Sequence, residues 1–389
     1  MNEMVFTGDK TRFLPVPMLD FRREFAGIRE EVLAAIASVC ESQRFILGPE
    51  VERFEVAAAK ACAVNHAIGC ASGTDALWLA MAALGIGSGD TVLTTPFSFF
   101  ASVSAVLRAG AKPVLADIDE RTFNLSSDSV QQKLRTAKVA AVMPVHLYGQ
   151  CADMTAFSKL AEEHEVKLIE DAAQAFGATW NGVRAGALGD AAAFSFYPTK
   201  NLAAFGDAGL VTVNDPIVSE HARMLRAHGM RKRYYHDEVG WNSRLDTIQA
   251  AVLEVKLQYV DAGNARRRSL AANYVELFTA AGVVGSTTAD GVVLPFTDPR
   301  AGHVFHQYVI RVPKRDALRE FLTGHGIGTE VYYPLPLHLQ ESLKDLGYKL
   351  GDFPFAERAA AEVLALPMYP DLREDEQQSV VEAIREFYA

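Results

Sequence analysis

The sequence contains no apolar run near the ~18 residues that a membrane span requires, and its opening, MNEMVFTGDKTRF, has no basic stretch followed by an apolar one. These absences give no membrane partner and make the cytoplasm the expected location. Positive charge is in deficit, since 38 Lys plus Arg against 48 Asp plus Glu leave a net charge of −10. A surface of that sign does not hold nucleic acid by broad electrostatics, so an anionic ligand must be caught by a local site. Cysteine is scarce: Cys40, Cys62, Cys70 and Cys151 form no CxxC pair in 389 residues. They are too sparse to staple the chain or ligate a metal, and they read as buried thiols. The sequon Asn124-Leu125-Ser126 has no consequence without a secretion signal. Internal repeats and low-complexity tracts are missing too. Gly85-Ile86-Gly87-Ser88-Gly89 precedes a strand and lacks GxGxxG spacing, which counts against a nucleotide-binding dehydrogenase.

What is there is a globular composition, with 49% hydrophobic, 22% charged and 10% aromatic residues, long enough for a large domain plus a smaller one. From about Asn65, short apolar runs alternate with helical patterns: HAIGCA, GTDALWLAMAALG, TVLTT, PVLAD, VAAVMPV (139–145), VKLIED (166–171), AAAFSF (191–196) and GLVTVN (209–214). This rhythm predicts an α/β fold with a mostly parallel central sheet flanked by helices, over about residues 50 to 260. Ligands are then expected at the carboxyl ends of the strands. An arginine-rich stretch, 223–244, leads into the helical pattern TIQAAVLEVKLQYV. Beyond it a smaller α+β unit is expected, with strands at 303–312 and 328–333, a loop YYPLPLH and terminal helices. The predicted division is an N-terminal segment 1–45 packing with the small domain, a large domain 46–262 and a small C-terminal domain 263–389.

Four strand ends carry chemistry, each with a bland reading beside it. Ser72-Gly73-Thr74-Asp75 opens a helix, where unpaired N–H groups favour a phosphate, although Ser, Thr and Asp also simply cap helices there. Glu170-Asp171-Ala172-Ala173-Gln174 ends an apolar strand, and a carboxylate there can hold a pyridinium N–H. Gln174 lies one turn on, within reach of a phenolic oxygen. Ser195-Phe196-Tyr197-Pro198-Thr199-Lys200 follows the next strand; most lysines are surface charges, but one buried at a ligand crevice is a Schiff-base nucleophile. Pro96-Phe97-Ser98-Phe99-Phe100 brings aromatic rings that either pack in the core or stack on a pyridine ring. Together the four describe a site for pyridoxal 5′-phosphate (PLP) on a type I aminotransferase fold.

The segments GTDAL, EDAAQAFGA, SFYPTKNL and GWNSRLDTIQAAVLEVKL resemble the DegT/DnrJ/EryC1/StrS sugar aminotransferases, and the similarity runs from ILGPEVERFE to ALPMYP. The resemblance implies that Lys200 forms the Schiff base, Asp171 pairs with the pyridine nitrogen and Gln174 contacts O3′. It further implies that Gly73, Thr74 and Ser195 hold the phosphate and Phe99 stacks on the ring. Members are dimers with shared sites, which implies a homodimer in which Asn242 reaches the partner's phosphate with Arg244 beside it. Tyr333, His338 and Tyr235 resemble sugar-side contacts, although His338 reads equally as a loop histidine bonded to backbone. Arg231-Lys232-Arg233 reads as a solvated loop. One departure is Gly206-Asp207-Ala208-Gly209, where many members carry GDGG. A second is from the family's dehydratase branch, which replaces the Schiff-base lysine with histidine; this chain keeps Lys200.

The implied reaction moves an amino group from L-glutamate, leaving 2-oxoglutarate, to a nucleotide-linked keto sugar. The stretch HGMRKRYYHDEVGWNSRLDT looks most like members that aminate carbon 3 of dTDP- or UDP-linked hexoses. Carbon 4 remains open, as does another type I PLP reaction. A passive cofactor-binding regulator is the reading from a different class, and no DNA-binding module supports it.

Overall fold

The structure is a computed structural model that describes residues 13–389; residues 1–12 of the expected N-terminal segment lie outside it. Seven strands build the central sheet: β1 (His66–Cys70), β2 (Thr91–Thr94), β3 (Lys112–Leu115), β4 (Ala141–Val142), β5 (Lys167–Asp171), β6 (Ala191–Ser195) and β7 (Gly209–Val213). Their order across the sheet is β1-β7-β6-β5-β4-β2-β3, with β7 antiparallel to both neighbours and the other pairings parallel. Such strands are apolar on both faces because helices cover both. One face packs against α3 (Gly73–Ala83), α4 (Ala101–Arg108) and α7 (Pro216–Leu225) through Leu77, Met81, Val106 and Leu225. The other meets α2 (Pro49–Cys62), α5 (Ser127–Leu134), α6 (Met154–His164) and α8 (Thr247–Leu257) through Phe54, Val130, Phe157 and Leu253. Regular pairing in 139–145 is confined to β4, and Pro144 follows where a ladder N–H would be needed.

No helix among the described residues is long and apolar enough to cross a membrane. A second core gathers α9 (Val260–Ala281), α10 (Arg315–Gly324), α11 (Pro354–Glu362) and α12 (Glu374–Tyr388) around the antiparallel pair β8 (Tyr308–Arg311) and β9 (Val363–Leu366). Sequence reading extends β8 back to His303 and makes 328–333 a strand. Instead His303 stacks on Phe305 at 3.9 Å, Phe305 takes a φ of 44°, and 328–333 keeps a single bridge, Glu330 to Ala365. The partner strand, β9, lies in a stretch read as terminal helix. The N-terminal part divides: Val16 pairs with Ile327 in the second core, whereas α1 (Phe21–Ser42) lies on α8 through Ile28, Val32 and Val252. Cys62, Cys70 and Cys151 are buried free thiols, with burial pushing Cys62 up to about 12. Cys40 corrects the reading, since it is exposed on the solvent side of α1.

The ends of β1, β6 and β7 meet so closely that glycine is required. A Cβ on Gly209 would sit 2.2 Å from the Ser72 carbonyl oxygen, and one on Gly73 would sit 2.5 Å from the Ser195 Cβ. Ala208, by contrast, is buried and its carbonyl accepts from Phe196 N–H at 2.8 Å, so the methyl that departs from GDGG fits its place. Gly209→Ala is expected to cost about 1–3 kcal/mol by forcing backbone against backbone, readable as a lowered denaturant midpoint.

Candidate active site

The carboxyl ends of β1, β2, β4, β5 and β6 converge on one crevice. Consecutive acids at the end of β5 point to opposite faces, as the two-residue period of a strand dictates. Glu170 turns away: its carboxylate accepts the N–H groups of Gly186, Leu188 and Gly189 at 2.8–2.9 Å and faces His146 Nε2 at 3.0 Å. His146 Nδ1 accepts from Ala152 N–H, so Nε2 carries the proton toward Glu170. Asp171 turns into the crevice. Its Oδ2 accepts from the Ser102 hydroxyl at 2.7 Å and its Oδ1 from Ala173 N–H at 3.3 Å. Burial leaves its pKa raised, against the opposing pull of Ser102, Ala173, Lys200 and His146.

Lys200 follows β6, its N–H bonded to the Tyr197 carbonyl at 2.8 Å. Desolvation pushes its amine down to about 8, against the pull of Asp171. His306 lies nearby, its Nδ1 3.1 Å from Asn201 Oδ1; burial first, then the Lys200 and Arg267 charges, hold it well below the usual histidine range. A neutral imidazole there does not compete for the lysine's proton. A lowered amine pKa makes the nucleophile available near neutrality. At pH 7.5 roughly a quarter of an amine with a pKa of 8 is unprotonated, against about 0.1% of an ordinary lysine. The rate at which apo-protein captures an added aldehyde should therefore rise with pH up to about 8 and flatten above it. A stopped-flow series from pH 6 to 10 checks this, and a rise continuing past pH 10 would contradict it.

Gln174 is oriented by two bonds: Oε1 accepts from Tyr148 N–H at 2.7 Å, and Nε2 donates to the Tyr333 hydroxyl at 3.1 Å. The Tyr148 hydroxyl in turn donates to the Tyr332 carbonyl. Tyr333 thus belongs beside Gln174 and Asp171, and its ring lies 6.2 Å from that of Phe99. Phe99 is 58% exposed while Phe97 is fully buried, so in the run Phe97-Ser98-Phe99-Phe100 one ring builds the core and Phe99 borders the crevice. Ser72 caps α3 by accepting from Asp75 N–H at 3.1 Å, which leaves the first-turn N–H groups of Gly73 and Thr74 without helical partners, next to Ser195. The capping reading of that turn is thereby met, and the free N–H groups remain available to an anion.

Asn242 and Arg244 line a cleft of about 510 Å³ with Ser72 and Asp207. Ser243 between them bonds Asp75 at 2.8 Å, which ties this segment to the start of α3. Among the described residues the Arg244 Nε is buried without a partner. Two residues are not gathered into the crevice. Tyr235 is 62% exposed on a hairpin, under the Lys232 ammonium. His338 is buried with Nε2 3.0 Å from Glu357 and its ring edge-on to Phe353, the arrangement of a loop anchor. Ser102, Tyr148 and His306 have no sequence signal of their own, because only the fold brings them to the motif residues; Ser243 lies inside the GWNSR segment, where the resemblance gives it no role.

A model of the DegT/DnrJ/EryC1/StrS aminotransferase family matches residues 26–385. The chain belongs to that family. Among relatives of this aminotransferase, a Geobacillus stearothermophilus protein named pleiotropic regulatory protein is 49% identical, covering 96% of this chain and 98% of its own. The dTDP-3-amino-3,4,6-trideoxy-alpha-D-glucose transaminase of Streptomyces venezuelae is 43% identical, covering 96% of each. The S. venezuelae DesV crystal structure, in complex with a ketimine intermediate, superposes with a TM-score of 0.91 at 43% identity, covering 96% of this chain and 98% of that one. The aminotransferase is PLP-dependent, like its family. Its crevice fits the group: a lysine amine of lowered pKa, a buried carboxylate with capacity for another donor, and a glycine-lined turn opening a helix.

Proposed function

We propose that this aminotransferase transfers the amino group of L-glutamate to a keto sugar linked to dTDP or UDP, at carbon 3. The observation that carries the reading is the meeting of Lys200, Asp171 and Gln174 at adjacent strand ends, on a chain whose relatives include a dTDP-3-amino sugar transaminase. Asp171 would hold the ring nitrogen, Gln174 O3′, Phe99 the ring face, and Gly73, Thr74 and Ser195 the phosphate. Bound PLP supplies an electron sink that makes the carbon bearing the amino group acidic. Lys200 Nζ would carry the proton from the donor's amino-bearing carbon to the cofactor side and, in the opposite half-reaction, from the cofactor side to the keto-sugar carbon that becomes the amine. Tyr333 keeps Gln174 oriented and closes the crevice from the second core, so it serves the cofactor side as well as the sugar. Arg244 and the basic hairpin carrying Tyr235 would meet the diphosphate.

The reading includes a homodimer with shared sites, Asn242 completing the neighbour's phosphate pocket. The exposed rings of Phe99, Phe100, Tyr197, Phe205 and Trp241 support it, because single subunits rarely leave that much aromatic surface to water. It also keeps the division at residues 45 and 262. Sedimentation of the PLP-loaded protein as a fully active monomer would refute the dimer.

The function itself is tested by the absorption spectrum of the PLP-loaded protein before and after glutamate. A visible band replaced by a near-ultraviolet one, with release of 2-oxoglutarate, is expected. Return of the visible band on adding a 3-keto but not a 4-keto nucleotide sugar, with formation of the amino sugar, would then decide the carbon. The regulatory name borne by the Geobacillus relative describes no turnover, and a visible band indifferent to every amino donor would favour a binding role.

A further inference from the structure

Ser102 and Ser98 lie beside Asp171; Ser98 sits within the aromatic run 96–100, where the rings carry the reading, and Ser102 belongs to no motif. Both are buried, 1% and 3% exposed. The Ser102 Oγ lies 2.7 Å from Asp171 Oδ2 and 2.8 Å from the Ser98 Oγ. A serine has one proton to give. An ionised carboxylate only accepts, so the Ser102 proton points to Asp171, and Ser98 must be the donor to Ser102. The result is a one-way chain, Ser98 to Ser102 to Asp171, in which each bond polarises the next.

We propose that Ser102, backed by Ser98, is the positioning residue that keeps Asp171 ionised and aimed at the cofactor's ring nitrogen. The inference rests on the assignment of Asp171 to that nitrogen. A carboxylate sealed from water is unstable as an anion unless hydrogen bonds replace its hydration. Ser102 supplies the shortest such bond to Asp171, while the Ala173 N–H on Oδ1 is longer at 3.3 Å. Holding Oδ2 also fixes the plane of the carboxyl group, which leaves lone pairs for one further N–H donor. Serine suits the place because its short side chain starts from the first turn of α4, directly after the aromatic loop that carries Phe99. The same nine-residue stretch, Phe97 to Ala105, then presents one ring to the cofactor face and one hydroxyl to its counter-ion.

The test compares the affinity of the apo-protein for PLP with its affinity for 1-deazapyridoxal 5′-phosphate, which keeps the aldehyde and phosphate and replaces the ring nitrogen by C–H. Both form the same bond with Lys200, so the ratio of the two dissociation constants isolates the nitrogen's partner. The wild type should favour PLP. In Ser102→Ala the ratio should fall by about tenfold or more, the range for losing a hydrogen bond to a buried charge. Ser102→Thr, which restores the hydroxyl, should recover it. Ser98→Ala, which leaves the direct bond in place, should lower the ratio a few-fold, and it decides the matter if Ser102→Ala does not fold. A role in packing alone would weaken both ligands alike, and an unchanged ratio in the serine variants overturns the proposal. A wild type that does not discriminate between the ligands would instead remove the Asp171 assignment itself.

Discussion

Lys200→Ala protein will show no visible absorption band with PLP and will transfer amino groups at least about 10⁴-fold more slowly, the upper range for losing a positioned acid–base group. Two roles end at once. The covalent anchor is lost, and so is the amine that moves the proton at the amino-bearing carbon. Among the described residues neither histidine near the crevice replaces it: His306 is still held neutral by burial and by the Arg267 charge once the lysine is gone, and His146 is committed to Ala152 and Glu170. Added methylamine should restore part of the proton transfer without restoring the anchor. A Lys200→Ala variant that aminates at the normal rate would sink the assignment. The fold should survive, since removing a partly desolvated amine leaves no paired group stranded other than Asp171, which can take up a proton.

Asp171→Asn should separate the same two roles. The variant still has Lys200 and should still capture PLP with a visible band, but its half-reaction with glutamate should slow by roughly 10³-fold, or about 4 kcal/mol of barrier. The neutral amide cannot act as counter-ion to a protonated ring nitrogen, so the electron sink weakens just when the carbon acid must ionise. Thermal stability should stay level or rise, because a desolvated carboxylate is exchanged for a group with no charge to bury. Stopped-flow spectra and a melting curve on one sample read both effects. A drop in stability with an unchanged half-reaction would make Asp171 a structural acid and contradict the reading.

Much of this was legible in the sequence for a definite reason. Strands buried on both faces announce themselves as apolar runs, and the chain places its reactive residues directly after those runs. The end of β5 shows where legibility stops. Two acids stand side by side in Glu170-Asp171, and pattern alone does not say which one serves the crevice; the strand's alternation does, once the sheet is built. His338 illustrates the reverse, a residue typical of a sugar-contacting loop that spends its ring on Glu357. Ser102, Tyr148 and His306 lie outside the motifs because their partners Asp171, Gln174 and Asn201 are supplied by other strands. The strand expected over 328–333 was lost to geometry: the segment bridges Ala365 once and then breaks to carry Tyr333 into the crevice.

The antiparallel β7 has a bearing on how the protein is made. It comes last among the sheet strands in the chain yet lies between β1 and β6. As the polypeptide leaves the ribosome, β1 emerges with the Ser72-Gly73-Thr74 turn and has no neighbour on the side where β7 belongs until residues 209–213 follow. The strand that leads to Lys200, β6, is likewise complete before anything holds it against Ser72. Pairing that waits on so distant a segment is slow, and until it happens the unfilled gap is open to any extended chain nearby. A nascent chain stalled before Gly209 would possess the lysine, the acid and the glutamine and still lack the strand that joins the Ser72-Gly73-Thr74 turn to them. Emergence of the last sheet strand, rather than synthesis of the reactive residues, sets the earliest moment at which the central sheet can close around the crevice.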